Sequence, residues 1–166
     1  MKKYKIGIIG CGRIGSLLEE DPLRGKPCTH AGGFSALPAS HLSAGCDIDN
    51  ERLEKFGKRW NVTQLYSDYQ DMLNKESLDI VCIATWTPLH AKMTLKAAEA
   101  GVKGIFCEKP IAINLKQARD MVRVCQEKNI SLIINHERRW DAYYKQARKL
   151  ITSGKIGEIK TIIGNA

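Results

Sequence analysis

An α/β fold is predicted: a doubly wound parallel sheet in strand order 3-2-1-4-5-6 with helices on both faces. Three observations predict it. Short apolar runs alternate with helical patterns along most of the chain, as in strands joined by crossover helices. The first run opens into a glycine-rich turn, Gly10-Cys11-Gly12-Arg13-Ile14-Gly15, in the strand–turn–helix context of a phosphate-binding loop. About a hundred residues later another run, Gly104–Cys107, ends in Glu108-Lys109-Pro110, which puts an acid and an amine where an open parallel sheet holds its ligands.

The first strand is expected over Tyr4–Gly10. Its helix is expected from Gly12, because Ile14, Leu17 and Leu18 recur at helical spacing. Between Glu19 and Thr29 the composition changes to an insertion rich in turn formers, Asp-Pro-Leu-Arg-Gly-Lys-Pro-Cys. Helix resumes near His30 and ends before Pro38. The second strand, Leu42–Cys46, leads into Asp47-Ile48-Asp49. A helix over Asn50–Trp60 then sets Leu53, Phe56 and Trp60 on one face. A short strand at Gln64–Tyr66 precedes a helix capped by Ser67 or Asp68, with Tyr69, Met72 and Leu73 inward.

Asp79–Ala84 is the fourth strand, and Thr85-Trp86-Thr87-Pro88 leads into a helix ending at Gly101, a left-handed stop. After the fifth strand, Gly104–Cys107, Asn114 caps a helix with Leu115, Ala118, Met121, Val122 and Cys125 on one side. Ile130–Ile134 is the sixth strand. Trp140–Thr152 is a further helix, closed by Ser153-Gly154. Glu158–Gly164 reads as a lone strand, expected to open a second sheet that this chain lacks. The expected organisation is a dinucleotide-binding domain over 1–155 and the first strand of a second domain over 156–166.

A chain of 166 residues suits one domain with a full core. No apolar run reaches the roughly 18 residues of a membrane span. The lysine-flanked start lacks a signal peptide's apolar region and cleavage site. A cytoplasmic protein without a membrane partner is expected. Cysteines 11, 28, 46, 82, 107 and 125 form no C-x-x-C pair and have no histidine at metal spacing. They are expected to be reduced core thiols with no metal, although Cys11, in the glycine turn, could be exposed.

The net charge of +8 raises the question of nucleic acid. A basic stripe with aromatics does occur, from Arg138 and Arg139 through Trp140, Tyr143, Tyr144 and Lys145 to Arg148 and Lys149. On a helix the tyrosines and Leu150 would form a core face and the cations a solvated one. No nucleic-acid motif accompanies them. The charge is assigned to attraction of an anionic dinucleotide or substrate, and no nucleic-acid partner is expected.

Gly10 permits the tight turn, Gly12 lets backbone N–H groups approach a pyrophosphate, and Gly15 allows close helix–strand packing. Asp47, at the end of the second strand, is placed to accept the ribose hydroxyls of an adenosine. It lies 32 residues after Gly15 rather than about 20, the insertion accounting for the excess. Ile48 stands where a 2′-phosphate binder would prefer arginine, so NAD is favoured over NADP. The alternative is that Asp47 or Asp49 only caps the next helix. Lys109, partly desolvated at a strand end, can hydrogen-bond a substrate hydroxyl as it becomes a carbonyl. Glu108 would face the nicotinamide end or pair with Lys109. The alternative is a surface turn with an ion pair.

Taken in order, Gly10-x-Gly12-x-x-Gly15, Asp47-x-Asp49, Thr85-x-Thr87-Pro88-x-His90, Glu108-Lys109-Pro110 and Asn135-x-x-Arg138-Arg139 resemble the N-terminal, Rossmann-type half of the glucose–fructose oxidoreductase / inositol dehydrogenase (Gfo/Idh/MocA) family. The resemblance covers essentially the whole chain. It implies that Thr85, Thr87, Pro88 and His90 line the cofactor's ribose and pyrophosphate, and that Glu108 lies near the nicotinamide ribose. It implies that Lys109 contacts substrate and cofactor, with Arg138 and Arg139 close to the substrate cleft. Read from the residues alone, His90 is equally a helix-start residue with a satisfied backbone contact, and the arginines a solvated face. The family's C-terminal domain, which supplies much of the substrate pocket and usually the subunit contact, is expected to be absent here, so a homo-oligomer is only a possibility.

The function expected is hydride transfer between NAD and a hydroxyl of a sugar, cyclitol or polyol. Against it stands a non-catalytic dinucleotide-binding module or partner subunit lacking a substrate domain. A methyltransferase would share the glycine turn but leaves Glu108-Lys109-Pro110 unexplained.

Overall fold

The computed structural model describes residues 3–164. The chain divides after Asn135 into two compact units.

The first unit is an open sheet of six parallel strands. These are β1 (Tyr4–Ile9), β2 (Ser40–Cys46), β3 (Gln64–Tyr66), β4 (Ile80–Ile83), β5 (Gly104–Glu108) and β6 (Ser131–Asn135). Their order, β3-β2-β1-β4-β5-β6, is the one expected, and it places the topological switch between β1 and β4. Five α-helices complete the unit: α1 (His30–Ser35), α2 (Asn50–Trp60), α3 (Tyr69–Lys75), α4 (Thr87–Glu99) and α5 (Leu115–Glu127).

Alternate residues of each strand point to opposite faces, which produces two cores. One joins Ile6, Ile8, Leu42 and Cys82 to Ala31, Leu53 and Phe56 of α1 and α2. The other joins Ile9, Val81, Ile83 and Ile105 to Met72, Ala97, Met121 and Cys125 of α3, α4 and α5. Local capping matches the composition. The side chains of Asp49, Asp68 and Asn114 each accept a backbone N–H from the first turn that follows. On α5, Ala118, Met121, Val124 and Cys125 turn inward, whereas Leu115 and Val122 are exposed, contrary to expectation. Those two lie seven residues apart on the stripe adjoining the buried one.

The expected helix from Gly12 does not form. A wide turn replaces it, in which the N–H groups of Ser16 and Leu17 both donate to the Gly12 carbonyl and that of Leu18 to Arg13. A short 3-10 helix, Leu17–Glu20, follows. The chain then makes a detour and returns at α1, where the N–H groups of His30 and Ala31 donate to the carbonyls of Ile14 and Gly15, both at 3.0 Å. The crossover helix is thus interrupted and picked up again. Glu19 pins the returning end, its carboxylate accepting the Thr29 N–H and hydroxyl. Those bonds outweigh its partial desolvation and lower its pKa. Thr29 in turn caps α1 by accepting the Gly32 N–H.

The second unit holds a 3-10 turn, Glu137–Trp140, and α6 (Ala142–Thr152). Trp140 therefore precedes the helix that was expected to include it. Asp141 caps α6, accepting the N–H groups of Tyr143 and Tyr144. The tyrosines and Leu150 do not form a core face. No residue of α6 is buried, and Tyr143 is 81% exposed. Glu158–Gly164 forms no strand. A strand needs a partner for its backbone groups, and none pairs with it among the described residues. No helix of the described residues is long and apolar enough to cross a membrane.

Candidate active site

At the carboxyl edge of the sheet Cys46, Ile9, Ile83 and Cys107 lie in register across β2, β1, β4 and β5. The residues immediately after them are therefore neighbours in space. Gly10 donates its N–H to the Cys46 carbonyl, and Ala84 donates to Ile9. Gly10 adopts φ +97°, a conformation that favours glycine, and a Cβ there would meet the Ala84 carbonyl at 2.6 Å. A Cβ at Gly15 would overlap the carbonyl oxygen of Gly10. The first and third glycines thus fold the turn back onto its own strand.

Gly12 differs. The nearest atom to a Cβ built there is Arg52 Nη1, at 3.8 Å. Among the described residues the backbone N–H groups of Gly12, Arg13 and Ile14 donate to nothing in the chain. An open glycine face beside unpartnered donors and a guanidinium fits the pyrophosphate of a dinucleotide.

Asp47 is buried at the end of β2. Its Oδ2 accepts the Cys11 N–H at 2.8 Å and its Oδ1 the Asp49 N–H at 2.9 Å. The carboxylate ties the glycine turn to β2, and each oxygen keeps a lone pair for a ribose hydroxyl. Asp49 is the cap of α2. Ile48 is 91% exposed after β2, and Trp86 83% exposed after β4, which leaves apolar surface for planar rings on this edge. Cys11 is fully buried rather than exposed. Burial, with Asp47 alongside, pushes its thiol far above the usual range. All six cysteines are free, and no cluster that could hold a metal occurs among the described residues.

After β4, Thr85 and Thr87 are half-buried and Pro88 is exposed in the first turn of α4. His90 is 1% exposed. Its Nδ1 lies 2.8 Å from the Pro110 carbonyl and its Nε2 3.0 Å from the Thr85 carbonyl. In this structure His90 holds two edge loops together.

Glu108 does not pair with the Lys109 ammonium. Its Oε1 lies 2.8 Å from His30 Nε2 and accepts the Asn135 side-chain N–H at 2.7 Å. Its Oε2 accepts the backbone N–H of Lys109 at 3.2 Å. Lys109 is exposed rather than partly desolvated, because the Glu108 side chain takes the inward place and turns the next one out. His30, which sequence reasoning passed over, is 8% exposed, its ring edge-on to Phe106. The only local signal was its position one residue after a threonine able to cap a helix.

Burial opposes charge on both partners. For Glu108 the hydrogen bonds from His30 and Asn135 win and lower the pKa to about 2. For His30 the Cys82 sulfur and the Glu108 carboxylate win and raise the pKa to about 10. The stability from His30 is complete below its ordinary pKa of 6.5 and is lost as pH rises through about 10. That from Glu108 is complete above its ordinary 4.5 and is lost as pH falls through about 2. Urea midpoints measured across pH are expected to peak between these ordinary values, and His30→Gln to flatten the alkaline limb. Equal alkaline losses in the two proteins would show that His30 carries no charge in the folded state.

Arg138 and Arg139 lie in the 3-10 turn of the second unit, both exposed. Arg138 Nη1 donates to the Tyr144 hydroxyl at 3.2 Å. A cleft of about 360 Å³, lined by Leu73, Leu78, Asp79 and Val102, opens at the opposite, amino edge of β4 and β5. It is therefore no part of this site.

Residues 4–136 match the family described as Oxidoreductase family, NAD-binding Rossmann fold (GFO_IDH_MocA). The chain belongs to that family. Among curated members of known name it is similar to D-apiose dehydrogenase of Paraburkholderia graminis, 32% identical over 95% of this chain and 38% of the relative. It is also similar to myo-inositol 2-dehydrogenase of Thermotoga maritima, 27% identical over 93% of this chain and 42% of the relative. A solved scyllo-inositol dehydrogenase from Lactobacillus casei, with bound NAD(H) and scyllo-inositol, superposes with a TM-score of 0.83 at 28% identity. That match covers 95% of this chain and 43% of the other. The chain thus spans about two-fifths of the length of these family members.

Proposed function

We propose that this chain is the cofactor-binding part of an oxidoreductase that uses NAD, in preference to NADP, to act on a hydroxyl of a sugar, cyclitol or polyol. The observation that carries the reading is the open Gly12 face with its unpartnered N–H groups, on the same sheet edge as Glu108 and Lys109. Bound NAD would supply the hydride acceptor. The turn Gly10-Cys11-Gly12-Arg13-Ile14-Gly15 holds the pyrophosphate, and Asp47 accepts ribose hydroxyls. Thr85, Thr87 and Pro88 border the cofactor, with His90 holding their loop against Pro110. Glu108 fixes the backbone beside the nicotinamide end. Lys109 Nζ takes the hydroxyl proton as the hydride leaves the carbon, and then donates a hydrogen bond to the carbonyl oxygen that forms.

Arg138 and Arg139 are assigned to the substrate side. Residues 1–155 then form the dinucleotide-binding part, and 156–166 lead into the portion of the relatives that this chain does not span. The reading takes the protein to be cytoplasmic, with neither nucleic acid nor membrane as a partner, and is compatible with a homo-oligomer.

Fluorescence titration with NADH, NADPH and S-adenosylmethionine tests the reading. NADH is expected to bind best. Asp47→Ala should weaken it at least about a hundredfold, since two charge-assisted hydrogen bonds to the ribose are lost, and narrow the margin over NADPH. Preference for S-adenosylmethionine, or unchanged NADH affinity in Asp47→Ala, would remove this site assignment. Tight NADH binding without oxidation of any polyol by any form of the protein would favour a non-catalytic module.

A further inference from the structure

The detour after the glycine turn ends on a side chain that reaches across to a different strand. The His30 N–H is held by the Ile14 carbonyl, inside the turn. Its ring, three bonds from that nitrogen, meets the Glu108 carboxylate at 2.8 Å. The other oxygen of that carboxylate receives the Lys109 N–H. One short path thus joins the unpartnered donors at Gly12, Arg13 and Ile14 to the backbone that carries the exposed lysine. His30 and Glu108 are both buried, 8% and 7% exposed, so water does not compete for the contact. Phe106 limits the ring from the side, and Asn135 Nδ2 on the same carboxylate oxygen limits the carboxylate. A carboxylate with this many fixed donors has little freedom to rotate.

We propose that His30 is a positioning residue that locks the Glu108 carboxylate to the glycine turn and thereby sets the backbone of Lys109 relative to the pyrophosphate cradle. The role rests on the NAD reading for its purpose, and on the hydrogen bonds of His30 and Glu108 for its geometry. His30 touches neither cofactor nor substrate in this scheme. It acts through Glu108. Imidazole suits the task because Nε2 projects a donor at the distance that the side-chain nitrogen of glutamine also reaches, whereas that of asparagine falls short.

The test compares the 166-residue chain with its His30→Leu, His30→Gln and His30→Asn variants. The first readout, in the absence of cofactor, is the backbone amide resonance of Lys109 in ¹⁵N-labelled protein. The second is NADH affinity by fluorescence. Leucine is expected to displace the Lys109 amide signal and weaken NADH about tenfold, the effect of losing one charge-assisted hydrogen bond. Glutamine should return the signal to its wild-type position and affinity to within about threefold, and asparagine should behave like leucine. Should His30→Leu not fold, the glutamine–asparagine pair carries the comparison. An unmoved Lys109 signal in a folded leucine variant, or glutamine and asparagine behaving alike, would overturn the positioning role. Wild-type chain that gives the expected Lys109 shifts but does not bind NADH would instead overturn the NAD reading and leave the His30 lock standing.

Discussion

Gly12→Val is expected to abolish NADH binding and leave the fold intact. A Cβ at Gly12 meets nothing within the protein closer than the end of Arg52, at 3.8 Å, so a small side chain there is expected to cost the folded state little. It does fill the space in front of the N–H groups of Gly12, Arg13 and Ile14, which have no other partner among the described residues. Two charge-assisted hydrogen bonds lost at about 1.5 kcal/mol each amount to at least about a hundredfold in affinity. Gly15→Ala should do the reverse. Its Cβ would overlap a backbone oxygen of Gly10, which cannot move aside as a flexible side chain can, and a destabilisation of about 3 kcal/mol is expected. Thermal melts and NADH titrations on the two variants separate the effects. A Gly12→Val protein that binds NADH like the wild type would take the turn out of the site.

Lys109→Ala is expected to abolish turnover while sparing NADH affinity, in any form of the protein that oxidises a polyol. The lysine is exposed and makes no side-chain hydrogen bond among the described residues, so its removal disturbs neither Glu108 nor the glycine turn. Loss of a group that donates to the substrate oxygen and moves its proton costs about a thousandfold in kcat. Binding of NADH should stay within about threefold, because the proposed contacts to the pyrophosphate and adenosine ribose come from other strand ends. Steady-state rates set beside equilibrium titrations give the answer. Wild-type rates would end the role given to Lys109.

The strand order and most element boundaries follow from local pattern. β3 and α2 occupy the predicted residues because an alternating triplet and an Asp-capped amphipathic run leave little choice. The position of Gly10, Asp47, Thr85 and Glu108 along one edge follows in turn from that order. The interrupted helix was not legible, because the bonds that replace its continuation come from His30 and Ala31, across a detour that periodicity cannot see. The partner of Glu108 was hidden for the same reason. His30 and Asn135 stand 78 and 27 residues away in sequence. Leu115, Val122 and the tyrosines of α6 look like core residues by composition but are exposed, since apolar spacing defines a stripe without saying what covers it.

The rejoining of the chain at Ile14 and His30 separates contour length from distance through space. A gap of 32 residues between Gly15 and Asp47 would fail any search that fixes that interval near about 20, yet leaving out the excursion restores it. The excursion is tied to the unit through the carbonyls of Ile14 and Gly15, Glu19 and the Glu20–Arg59 ion pair, none of which belongs to a strand, so its length can change without disturbing the sheet. A pattern that let this interval stretch would find the acid here, where a fixed spacing would pass it by.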